Sequence, residues 1–200
     1  EKLHQQGLPI VFFDRVLENI DTFKEVSNNQ GGADKATSYL IEKGCKNIAH
    51  IANAAHLSIT KDRLVGFHKA LEEHGMSVDE SQIRYCSSGG NDPKEVEAAV
   101  QDLLSGKQKP DGIFVASDRL SVGCLTALKR HNKEDDVIIS GFSNSDVVDL
   151  IKPSISAIRQ PAFEMGRKAA ELLIHMIESK FPVQDFETYS LDTDFYPITD

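Results

Sequence analysis

Short apolar runs alternate along this chain with stretches whose apolar residues recur every three or four positions, and no other feature restricts the fold as much. Asn47–Ala52, Gln82–Cys86, Ile113–Ala116 and Val137–Phe142 read as strands. Between them, one helical face is marked by Ala33, Ala36, Thr37, Leu40 and Ile41, and a second by Leu64, Phe67, Ala70 and Leu71. A third carries Val96, Val100, Leu103 and Leu104, and a fourth Leu120, Cys124, Leu125 and Leu128. Gly44, Gly75 and Gly106 stop three of these helices, and Asp92-Pro93 supplies an N-cap and a first-turn proline for the third. Strands joined through helices pair in parallel, because a helical crossover returns the chain to the same edge. The expected class is therefore α/β, with doubly wound parallel sheets.

The two ends follow the pattern less strictly. Glu1 to Gln6 reads as the tail of a helix closed by Gly7, and Leu8–Phe13 as a strand ending at Asp14-Arg15. Glu25–Ser27 is a short extended piece and Ser154–Ile158 a longer one. A strong helix carries Met165, Ala169, Leu172, Leu173, Met176 and Ile177, and Phe186–Leu191 and Phe195–Ile198 are late strands.

A hydrophobic content of 40% with 26% charged residues suits a globular protein with an ample core. The net charge of −9 is spread out, which argues against this segment gripping nucleic acid, since that needs a positive footprint. Cys45, Cys86 and Cys124 lie far apart, with neither metal nor redox spacing, so reduced, half-buried thiols in a cytoplasm are expected. No run approaches membrane-spanning length, and no leader opens the chain.

In a parallel sheet, ligands bind beyond the carboxyl ends of the strands. Those ends bring together Asp14-Arg15, Asn53, the Ser87–Asn91 loop, Ser117-Asp118 and Ser143-Asn144, with Arg63 at the start of its helix able to join them. Short polar groups and a guanidinium fork suit a hydroxyl-rich small molecule. Each residue alone has a plainer reading as loop solvation, and Ser117 or Asp118 as a helix cap. Catalytic patterns are weaker. Ser58-Ile59-Thr60-Lys61 has the bare S-x-x-K spacing without its companion motifs. The seven histidines form no metal-binding spacing, His50 lies mid-strand, and His68 and His74 fall on the outer side of a helix. Neither an enzyme nor a cofactor is expected.

In order and spacing, several segments resemble the LacI/GalR family of bacterial transcription regulators. They are Leu8-Pro9-Ile10-Val11-Phe12-Phe13-Asp14-Arg15, Asn28-Asn29 before Gly32-Ala33, and Leu40-Ile41-Glu42-Lys43-Gly44 with Ile48-Ala49-His50-Ile51. Arg63-Leu64-Val65-Gly66-Phe67, Pro110 through Asp118, Ser140-Gly141-Phe142-Ser143-Asn144, and Pro153 with Ile158-Arg159-Gln160-Pro161 follow. The resemblance implies a periplasmic-binding-protein-like type I architecture of two lobes, the N-terminal one incomplete. Residues 1–26 and 157–192 would form a partial N-terminal lobe, and 27–156 with 193–200 the C-terminal lobe. It implies that Asp14, Arg63 and Ser117 contact ligand, with Asp118 as companion acid, Asn91 in a loop that often presents an aromatic ring, and Ser143 where many sugar-binding members have Asp. The implied partners are a sugar-like effector, a second copy of the chain, and operator DNA through a headpiece absent from this sequence. The implied role is effector sensing in a cytoplasmic regulator; a free-standing or exported sugar-binding protein of the same fold is the alternative.

Overall fold

The computed structural model describes residues 6–145, 155–180 and 183–198. The larger of its two sheets contains β3 (Ile48–Ala52), β4 (Ile83–Tyr85), β5 (Gly112–Val115), β6 (Ile138–Phe142), β7 (Ser156–Arg159) and β9 (Asp194–Tyr196), in the order β4-β3-β5-β6-β7-β9. Every pairing in it is parallel except β7 with β9, which is antiparallel. The smaller sheet is β1 (Phe12–Phe13), β2 (Lys24–Ser27) and β8 (Thr188–Leu191), parallel throughout in that order. The helices are α1 (Asn29–Glu42), α2 (Ser58–Glu73), α3 (Pro93–Ser105), α4 (Asp118–Arg130) and α5 (Ala162–Glu178), with a 3-10 turn at Glu80–Gln82.

The central strands β3 and β5 of the large sheet are buried along their whole length, and successive residues of β5 feed opposite layers. In β5, Ile113 and Val115 join a cluster with Val96, Val100 and Leu103 of α3 and Leu120, Leu125 and Leu128 of α4. Phe114, between them, enters the opposite cluster with Ala36 and Leu40 of α1 and Phe67 and Leu71 of α2. Helices therefore cover both faces, as a doubly wound sheet requires.

Local outcomes differ from the sequence expectation in a few places. Only Phe12–Phe13 of the Leu8–Phe13 run pairs as a strand. It lies at an edge with β2 as its sole neighbour, and Pro9 has no N–H to donate. β7 runs as a whole, Ser156–Arg159, in the large sheet, and β2 as a whole, Lys24–Ser27, in the small one. Gly44 and Gly75 end their helices at φ 93° and 69°, but Gly106 is extended at φ −66°. The three cysteines are buried rather than half-buried. Residues 1–5 of the expected helix tail, Ser154 of the extended piece, and Pro153 of the family resemblance lie outside the described residues.

His50 illustrates how the core sets a titration. It is fully buried, stacked on Phe114 at 4.5 Å and on Phe67 at 5.2 Å, with Nδ1 3.0 Å from the Phe114 carbonyl oxygen. Burial disfavours the imidazolium and pulls its pKa from 6.5 down to about 4. The unfolded chain takes up this proton first, so the contribution is intact above about pH 6.5 and is lost as pH falls towards 4. Roughly 3 kcal/mol of stability should disappear across that window. Urea melts at pH 7 and pH 4.5 should show the loss, and His50→Phe should flatten it. An equal pH slope in the variant would assign the effect elsewhere.

Candidate functional site

The carboxyl ends of the parallel strands point towards one region, where the small sheet meets the large one. Asp14 follows β1 in a left-handed conformation, φ 60°, held by its N–H donating to the Glu25 carbonyl at 2.9 Å. Asp and Asn tolerate that conformation better than other non-glycine residues. Gln160, just beyond β7, reaches across from the large sheet. Its Nε2 donates to Ser27 Oγ at 2.8 Å and to Asp14 Oδ1 at 3.3 Å. Asn144, after β6, fastens the same turn by donating Nδ2 to the Gln160 carbonyl at 2.6 Å and accepting the Gln160 N–H at 2.9 Å.

Ser117 occupies the N-cap position of α4 but makes no side-chain cap hydrogen bond. Its hydroxyl instead faces Asn53 Oδ1 at 3.4 Å, so the cap reading fails for Ser117. It fails for Asp118 as well. That carboxylate accepts from the Ser143 hydroxyl, from Asn144 N at 2.9 Å and from Ser145 N at 3.1 Å. Asp118 thus organises the loop after β6, and Ser143, 2% exposed, is a buried donor to it.

Arg63 is 2% exposed, and its fork turns into the protein. Nε donates to Asn29 Oδ1 at 2.8 Å, one Nη donates to the Ala116 carbonyl, and the guanidinium carbon sits 3.6 Å over the Phe142 ring. Burial lowers its pKa to about 10, with Asp14 the main charge opposing the shift, so it stays protonated near neutrality. Arg63 therefore braces the backbone immediately before Ser117. Asn91 is exposed on the rim, where Nδ2 donates to the Ser88 carbonyl at 2.8 Å and Oδ1 accepts from the Arg119 guanidinium.

Two cavities lie at these strand ends. One, of about 260 Å³, is lined by Asp14, Asp118, Asn144 and Gln160 with Phe13 and Met165. The other, of about 170 Å³, is lined by Arg15, Asn53, Asn91 and Arg119 among others. A larger groove of about 450 Å³ flanks Asp79, Gln82 and Arg84 away from the strand ends, whereas one of about 520 Å³ begins beside Gly90, Asp118 and Arg119 and runs along Val122, Thr126 and Arg130 of α4. Sequence reasoning missed Arg119 and Gln160, although both follow the strand-end rule that found their neighbours. Asn29 and Phe142 had no local signal, because their roles exist only through Arg63. His68 is also not on a free surface, since Nε2 lies 3.4 Å from Glu80 Oε1. Among the described residues no His, Cys, Asp or Glu group is arranged to hold a metal ion, and no helix is long and apolar enough to cross a membrane.

Residues 37–188 match the model of the periplasmic binding protein-like domain. The ribose operon repressor of Halalkalibacterium halodurans is 32% identical over 90% of this chain and 53% of its own length. The HTH-type transcriptional regulator CelR of Thermobifida fusca is 31% identical over 92% of this chain and 55% of its own. The chain thus spans about half the length of these curated relatives. Among solved structures, a CelR–cellobiose complex superposes with a TM-score of 0.86 at 30% identity, covering 98% of this chain and 59% of that one. A LacI-family regulatory protein from Chloroflexus aggregans gives 0.82 at 26% identity, covering 97% and 69%. The chain belongs to the periplasmic binding protein-like domain family, and the relatives it matches within that family are transcriptional repressors and regulators.

Proposed function

We propose that this chain is the effector-sensing region of a LacI-type regulator and binds a small polar metabolite between lobes built on the two sheets. The carrying observation is the convergence of Asp14, Asn53, Ser117-Asp118, Ser143-Asn144 and Gln160 at strand carboxyl ends where the sheets meet. Asp14 and Ser117 offer hydroxyl partners from opposite sides, Arg63 and Ser143 position the wall, and Asn91 marks its rim. Ligand that favours one relative setting of the lobes shifts that equilibrium in proportion to its differential affinity. In a cytoplasmic homodimer, the shift would change the spacing of two DNA-binding headpieces and hence operator affinity. The relatives are a repressor and a transcriptional regulator rather than enzymes, which supports this reading.

Asp14→Asn tests the site cleanly, because asparagine keeps the left-handed backbone and the shape while removing the charge. Isothermal titration with neutral sugars, sugar acids, sugar phosphates and nucleosides should find a ligand whose affinity drops about tenfold in the variant, the loss of one charge-assisted hydrogen bond. An unchanged affinity would remove Asp14 from the site.

A further inference from the structure

One buried carboxyl group is left without a partner. Glu25 of β2 is fully buried, and neither of its side-chain oxygens has a hydrogen-bond partner among the described residues. Its sheet neighbours are fixed by register, with Phe13 of β1 on one side and Tyr189 of β8 on the other. Neighbours in register point to the same face of a sheet, and α5 packs on these strands. From the helix, Lys168 brings its ammonium over the Tyr189 ring, 4.3 Å from the ring centre. The groups around Glu25 are therefore few. α5 presents Lys168, β8 presents Tyr189 with its hydroxyl held by Glu187, and β1 presents the uncharged Phe13. Asp14, one residue on, meets Gln160, and His175, further along α5, lies against Phe23.

An ionised carboxylate without hydrogen bonds is costly in such a place, so this packing fits the neutral acid. Burial raises the Glu25 pKa above its ordinary 4.5, and Lys168 opposes the rise. Once ionised, the carboxylate needs a partner, and Lys168 is the cation that faces it, on a flexible four-carbon stem. The position gives such a change a route to the cleft. Ser27, two residues along the same strand, accepts from Gln160, and Phe13 lines the cavity of about 260 Å³ together with Ala162 and Met165 of α5.

We propose that Glu25 and Lys168 form a proton-operated latch beneath α5. The neutral acid leaves Lys168 on the Tyr189 ring; the ionised acid draws it off and resets the first turns of the helix, Met165 included, against Phe13. The latch stands independently of the cleft reading, and only its consequence, an effector affinity that changes with pH, rests on that reading.

The test is solution NMR of the chain, with glutamate carboxyl carbons and methionine methyl groups labelled with carbon-13, titrated from about pH 4.5 to about pH 8.5. Glu25 should titrate above the exposed glutamates in the same spectra, and the Met165 methyl and Tyr189 ring signals should move with its midpoint. Glu25→Gln should remove that step from Met165 and Tyr189. Lys168→Met should push the Glu25 midpoint higher still, because the cation that opposes the rise is gone. Stability supplies an independent sign. With the folded pKa raised, the contribution of Glu25 is complete below the ordinary 4.5 and is lost as pH rises through the folded value. In urea melts Glu25→Gln should therefore gain on the wild type as pH rises, a difference in which the opposite slope from His50 cancels. Glu25 titrating with the exposed glutamates would overturn the latch, as would an unshifted midpoint in Lys168→Met or a Glu25 step that leaves Met165 unmoved. Each of these results leaves the cleft reading standing, since ligand titration decides that.

Discussion

Arg63→Ala should destabilise the chain by roughly 3–5 kcal/mol, the scale for removing one partner from a buried charged network, and should remove effector binding with it. The loss has three sources. Asn29 Oδ1 and the Ala116 carbonyl each lose a charged donor in a buried setting, and the Phe142 face loses a cation 3.6 Å away. The binding effect follows from geometry. Ala116 precedes Ser117, so releasing its carbonyl frees the strand end that sets the cleft wall. Arg63→Lys should recover little, because one ammonium cannot span Asn29 and Ala116 in the fixed angle of a guanidinium. Urea unfolding gives the stability change, and titration with any ligand found for the wild type gives the affinity change. A loss below about 1 kcal/mol would mean that the buried fork contributes no more than an ordinary hydrogen bond.

Gly66→Ala should be about as severe, although alanine in a helix normally stabilises by up to about 1 kcal/mol relative to glycine. Gly66 is the point at which α2 lies against α1. A Cβ there would stand 2.1 Å from the Gln30 carbonyl oxygen, 2.9 Å from Ala33 Cβ and 3.0 Å from Asp34 N. Two of those three atoms are backbone, so no rotamer change relieves the contact and the helices must separate. Separation would open the layer that holds Phe67, Leu71, Ala33 and Leu40, at a cost of roughly 3 kcal/mol or more. Gly166→Ala in α5 is the control, because a Cβ there meets nothing within 4 Å and the helix-propensity gain should appear unopposed. Thermal melts of the two variants should move in opposite directions. A Gly66→Ala protein as stable as wild type would show that the α1–α2 contact is looser than drawn.

The two variants also mark where reading from sequence stops. The β-α alternation was legible because periodicity is local. A strand buried on both faces must be apolar throughout, as Ile113 to Val115 are, and a covering helix must repeat its apolar face, as α3 and α4 do. The strand-end rule likewise brought Asp14, Asn53, Ser117, Asp118, Ser143 and Asn144 to one edge, because it depends only on strand direction. Pairing at the margins was not legible. Whether Leu8–Phe13 forms six paired residues or two depends on having a single neighbour at a sheet edge, and that neighbour, β2, lies beyond an irregular connection.

The roles of the site residues are the clearest division. By itself the sequence determined the fold class, the strand order of events along the chain and the polar character of one sheet edge, since these follow from the spacing of residue types over a few turns. Tertiary structure alone decided that Arg63 braces Ala116 across 53 positions, that Asp118 gathers the loop after β6 instead of capping α4, and that Gln160 ties Asp14 to Ser27. A guanidinium or carboxylate carries the same pattern in sequence whether it faces ligand or backbone. Which one it meets is settled by long-range packing, where a buried charge must take whatever partners the fold places within reach.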